Sequence, residues 1–116
     1  MNQRQIAEAM MKDLQKFQKD LEIAELNRRK LAVYLRETHF VKREFDLLVD
    51  PKSTSTATIY KKVGPILVPE SNKSAHKTVS NRVELLQRQI ADQEAIITDL
   101  EDKIMNLRKV FQSTNQ

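Results

Sequence analysis

Apolar residues recur along this chain with a seven-residue rhythm in two separate stretches. With Ala7 at heptad position a, the first stretch sets Ala7, Leu14, Leu21, Arg28, Leu35 and Lys42 at a, and Met10, Phe17, Ala24, Leu31, Thr38 and Phe45 at d. Nine of those twelve are apolar. The second sets His76, Val83, Ile90, Ile97, Ile104 and Phe111 at a, and Val79, Leu86, Gln93, Leu100 and Leu107 at d, and nine of these eleven are apolar. A stripe sustained over that many heptads predicts two long helices, each burying one narrow face in a coiled-coil seam.

Between the stretches the rhythm changes. Pro51-Lys-Ser-Thr-Ser-Thr-Ala57 is polar and without helical periodicity. It is followed by Thr58-Ile-Tyr-Lys-Lys-Val-Gly-Pro-Ile-Leu-Val68, rich in β-branched and aromatic side chains and broken by Gly64-Pro65. That composition predicts one short β-hairpin. Asp50-Pro51 closes the first helix, because the pyrrolidine ring disfavours helical geometry in the residue before it. Ser71, Asn72 and Ser74 can cap the start of the second. The expected organisation is a single domain: helix over 4–49, connector over 50–57, hairpin over 58–69, helix over 72–112 and tail over 113–116.

A connector of this length lets the helices fold back antiparallel, so that a positions of one meet d positions of the other. One register sets Leu14 opposite Leu107, Phe17 opposite Ile104, Leu21 opposite Leu100, Leu31 opposite Ile90 and Leu35 opposite Leu86. It also sets Arg28 against Gln93, so the polar seam residues coincide, and a polar seam layer specifies register at some cost in stability. The seam is assigned to Leu14, Phe17, Leu21, Leu31, Leu35, Phe45, Val83, Leu86, Ile90, Ile97, Leu100, Ile104 and Leu107. Two helices cannot enclose a globular core, and an isolated two-stranded hairpin is marginal in water with edges open to other chains. The hairpin residues Ile59, Tyr60, Val63, Gly64, Pro65, Ile66, Leu67 and Val68 are therefore read as the assembly element.

Composition narrows the function. The charged fraction of 31% with a single Gly matches long helices, and the absence of Cys excludes disulfides and thiolate metal sites. A net charge of +4 raises the possibility of nucleic acid, but the Lys and Arg are interleaved with Asp and Glu, and the densest cluster, Arg28-Arg29-Lys30, lies inside a helical pattern. No nucleic-acid partner is expected from such patterning. No apolar run resembles a signal peptide or a membrane span, so a cytoplasmic protein with no membrane partner is expected.

Three segments together resemble the beta-type subunits of the prefoldin family, the subunit 6 type above all: Glu37-Thr-His-Phe-Val-Lys-Arg-Glu-Phe-Asp-Leu-Leu48, Ile59-Tyr-Lys-Lys-Val-Gly-Pro-Ile-Leu-Val68, and Ala75-His-Lys-Thr-Val-Ser-Asn-Arg-Val-Glu-Leu-Leu86. Tyr60-Lys61, Gly64-Pro65 and Leu67-Val68, with Val79, Arg82 and Glu84, carry it most specifically. The resemblance implies a prefoldin-like fold and an ATP-independent co-chaperone. Six subunits, alpha and beta type, would join hairpins into a platform from which coiled coils hang, hold unfolded actin- or tubulin-type clients, and deliver them to the cytosolic group II chaperonin. Two features depart from the family pattern: the longer run from Asp50 to Ala57, and Pro69 after the second strand, which removes a backbone donor and puts the last strand pairing in question.

No enzyme chemistry is expected. His39 and His76 are the only histidines, no motif joins them to carboxylates at metal-ligand spacing, and there is no Gly-rich phosphate loop. Glu37, Glu44 and Asp46 read as an ordinary exposed helix face. No catalytic residue, cofactor or metal is assigned. At the free ends, Ile6, Met10 and Met11 begin the first helix while Val110 and Phe111 end the second. Folding back brings them to one tip, and flexible exposed apolar groups suit adaptable contacts, so these five are the candidate client-binding residues. A generic coiled-coil tether is the competing reading; it has no need of a hairpin between its helices.

Overall fold

The structure, a computed structural model, describes residues 2–49 and 59–114. Helix α1 spans Gln3–Val49, strand β1 Ile59–Val63, strand β2 Ile66–Glu70 and helix α2 Asn72–Thr114. The fold is mainly α, with one antiparallel hairpin between two long helices, as the two apolar rhythms predict. The connector over 50–57 lies outside the described residues.

Both helices begin on side-chain caps. Asn2 Oδ1 accepts from the Gln5 amide at 2.8 Å while Gln5 Oε1 accepts from the Asn2 amide at 3.2 Å, a reciprocal pair that satisfies two donors at the open helix end. Ser71 Oγ accepts from the Ser74 amide at 3.1 Å at the start of α2.

The hairpin pairs Ile59 with Glu70, Tyr60 with Pro69, Lys61 with Val68, Lys62 with Leu67 and Val63 with Ile66. Gly64 has φ +58°, and the ring of Pro65 holds its own φ negative, the combination of a two-residue type II′ turn that suits the strand twist. The question raised by Pro69 is answered by this register. In an antiparallel ladder hydrogen-bonded pairs alternate with non-bonded ones, and the pair closing a two-residue turn is bonded. Counting from Val63 and Ile66, the pair of Tyr60 with Pro69 is a non-bonded one. The missing N–H of Pro69 faces away from β1 and costs the ladder nothing, so β2 runs on to Glu70.

The chain divides into two compact units, Met1–Leu31 with Gln89–Gln116, and Ala32–Arg88. In the first, Ala24, Leu100 and Ile104 are buried, and Lys103 Nζ, held 3.0 Å from Asp99, lies 5.7 Å from the centre of the Phe17 ring. Phe17 thus sits within one residue of Ile104, its partner in the antiparallel register. Arg28 occupies a seam position yet is exposed, since its long stem carries the guanidinium out to water, while Gln93 is half-buried. In the second unit Ala75, Val83, Leu86 and Thr38 are buried. Thr38 is a polar residue at a d position and is satisfied within its own helix, its hydroxyl donating to the Tyr34 carbonyl at 2.7 Å.

Candidate assembly and client surfaces

Strand alternation puts Lys61, Val63, Ile66 and Val68 on one face of the hairpin and Tyr60, Lys62, Leu67 and Pro69 on the other. Every side chain from Tyr60 to Pro69 is exposed, Ile66 and Leu67 each to 63%. A two-stranded sheet with apolar side chains open on both faces and, among the described residues, an unpaired edge on each strand has the form of an element completed by other chains. Gly64 and Pro65 shape its turn, and Ile59 joins the ladder opposite Glu70.

The candidate client residues divide. Met10, Met11 and Phe111 come together with Leu14, Leu107 and the stem of Arg108 around a cavity of about 130 Å³ in the first unit. Met10 and Phe111 are half-buried there and Met11 is exposed. Ile6 and Val110 are exposed and are not among the residues lining it. The fold-back places the start of α1 beside the end of α2, with Met11 at the rim and Met10 and Phe111 closer to the seam.

The assigned seam residues are all at least half shielded. Val83, Leu86, Leu100 and Ile104 are buried, and Leu14, Phe17, Leu21, Leu31, Leu35, Phe45, Ile90, Ile97 and Leu107 are half-buried. Half-burial is what a two-stranded seam gives, because each side chain keeps one flank toward solvent.

Of the two histidines, His39 is exposed, and His76 donates from Nε2 to Asp46 Oδ1 at 2.6 Å, the carboxylate being able only to accept. Sequence spacing gives no sign of this pair, whose members lie thirty residues apart and meet only when the ends of the two helices are aligned. Among the described residues no group of three or more His, Cys, Asp or Glu is placed to hold a metal ion, and no helix is long and apolar enough to cross a membrane.

The model of the family described as "Prefoldin subunit" matches residues 8–116. The chain belongs to the prefoldin family. It is 35% identical over 106 residues to "Probable prefoldin subunit 6" of Caenorhabditis briggsae, covering 85% of this chain and 79% of that one. To "Prefoldin subunit 6" of Arabidopsis thaliana it is 33% identical, covering 90% and 77%, and to that of Homo sapiens 30% identical, covering 88% and 75%. Among solved structures it superposes on the prefoldin beta subunit of Thermococcus strain KS-1 with a TM-score of 0.79 at 23% identity, covering 91% of this chain and 89% of the other. The match extends through both helices and the hairpin, so the likeness seen in three short segments holds for nearly the whole length. Prefoldin family members are chaperone subunits, not enzymes, and they assemble with other prefoldin subunits. Membership supports a prefoldin co-chaperone role for this chain.

Proposed function

We propose that this chain is one subunit of a cytoplasmic, ATP-independent hetero-hexamer, joined through its hairpin to alpha- and beta-type prefoldin subunits. In that assembly it captures unfolded polypeptides of the actin and tubulin type and passes them to the group II chaperonin. The observation that carries this reading is the hairpin. Its apolar residues Tyr60, Val63, Ile66, Leu67 and Val68 are exposed on both faces, which is a liability for a lone chain and an asset for one that joins strands with its neighbours. A tether would gain nothing from such an insertion. Holding without ATP fits the first unit, where the clustered methionines and Phe111 offer shallow apolar contact rather than a deep pocket, so that a client can leave again.

The test is the double substitution of Ile66 and Val68 by Asp. Both side chains lie on one hairpin face, away from the seam, so circular dichroism should keep its helical signal. Co-purification with other prefoldin subunits and suppression of client aggregation should both be lost. A variant that still assembles would place the interface elsewhere.

A further inference from the structure

The seam of α1 is not its only apolar row. Val33, Phe40 and Leu47 recur every seven residues at heptad position f, diametrically away from a and d, and they are 49%, 63% and 61% exposed. Tyr34 and Val41, one position on, are exposed as well. The row has a charged rail on each side: Arg36 and Arg43 on one flank, Glu37 and Glu44 on the other, each within one helical turn of Phe40. On the arginine flank a groove of about 500 Å³ is lined by Ala32, Leu35, Arg36, His39, Phe40 and Arg43. Nothing in α1 requires apolar residues there, since a helix in a two-stranded seam ordinarily keeps f positions polar.

We propose that this outer row of α1 is a second docking contact for the neighbouring prefoldin subunit, taking one of its helices with apolar residues on Phe40 and Leu47 and carboxylates over Arg36 and Arg43. The proposal rests on the reading of the hairpin as the assembly element. Three observations point to this occupant. The row ends at Leu47, two residues before the end of α1, in the same compact unit as the hairpin, so a chain held by the hairpin has its own helix ends close by. Its size is wrong for a partner held by this row alone. Two heptads rise about 21 Å, and a strip about 10 Å wide offers about 200 Å², against about 800 Å² per partner in a stable pair. A contact that small counts only when the partner is already tethered, when binding becomes intramolecular. The charges narrow the occupant: an antiparallel second copy would set arginine against arginine and glutamate against glutamate, whereas a helix with Asp or Glu on the correct flank meets Arg36 and Arg43 with charge-assisted hydrogen bonds; a parallel second copy would also oppose unlike rails, and the crosslink below separates the two.

A photo-crosslinking phenylalanine analogue at position 40, in the assembled complex, should join a helix of a different prefoldin subunit, at a peptide carrying Asp or Glu. Crosslinks confined to this chain, to a second copy of it, or to an added unfolded client would overturn the proposal. Independently, the pairs Phe40→Ser with Leu47→Ser and Arg36→Glu with Arg43→Glu should leave helicity and assembly in place, yet speed exchange of the labelled subunit out of the complex by about tenfold. Unchanged exchange in both pairs overturns it. Failure of the underlying reading looks different: the Ile66→Asp, Val68→Asp chain would then remain in the complex.

Discussion

His76 Nε2 lies 2.6 Å from Asp46 Oδ1, joining the last turn of α1 to the second turn of α2 on either side of the hairpin. In the antiparallel register Asp46 falls opposite Ala75, so the pair sits one residue from strict opposition, where two side chains of this length meet across a seam. Both groups keep water access, at 35% for His76 and 53% for Asp46, and a polar contact so exposed is worth little. A double-mutant cycle of Asp46→Ala and His76→Ala, followed by denaturant unfolding, should give a coupling of about 0.2–1 kcal/mol. A coupling of about 3 kcal/mol would mean that the pair is shielded in solution as it is not here.

Burial differs along the seam, and stability should follow it. Leu100 is 7% exposed, whereas Leu31 is only half shielded. Truncating a buried leucine removes its transfer energy and leaves a cavity, while a partly wet site loses less and relaxes more easily. Leu100→Ala should therefore cost about 2–4 kcal/mol and Leu31→Ala about 1–2 kcal/mol in chemical denaturation. Equal losses would indicate a seam more uniformly dry than this one.

The turn makes a separate prediction. A Cβ at Gly64 would meet nothing within 4 Å, so Gly64→Ala has no steric neighbour to offend, and its cost lies in the positive φ alone. That cost is about 1–2 kcal/mol. Thermal unfolding of the helices should barely move, while the assembled complex should dissociate at a lower temperature than the parent. Loss of helicity in the unassembled variant would contradict this division.

Much of this was legible in the residues themselves. Heptad rhythm predicts both helices because coiled-coil burial leaves a periodic trace, and Gly64-Pro65 between β-branched runs predicts the hairpin because few residues tolerate its turn. Three features escape such patterns. The Asp46 and His76 pair depends on aligning two helix ends, which no local motif encodes. Arg28, expected as a seam layer with Gln93, reaches out to water because its side chain is long enough to leave the position it occupies. The row of Val33, Phe40 and Leu47 was in the sequence at the same period as the seam, but a heptad read at a and d alone passes over f. Pro69 is intermediate: its effect on the ladder follows once the turn fixes which pairs are bonded.

The distal tip tests the client reading most directly. Met11 is 44% exposed at the rim of the cavity that also takes Met10 and Phe111, and Val110 is 54% exposed on the facing helix. Neither is in the assigned seam, so changing both to Ser removes apolar surface without opening the helix pair. Exposed truncations of this kind cost folding stability within about 0.5 kcal/mol, which leaves the complex intact. If the tip holds clients through several shallow contacts, the reconstituted complex carrying Met11→Ser and Val110→Ser should suppress aggregation of an unfolded client less well at equal concentration, with the same native mass. The paired change Met10→Ser with Phe111→Ser, at half-buried positions, should by contrast also lower helix stability. Full protection by the Met11 and Val110 variant would mean that the tip of this subunit is not a client site and would place client contact on other parts of the coiled coil.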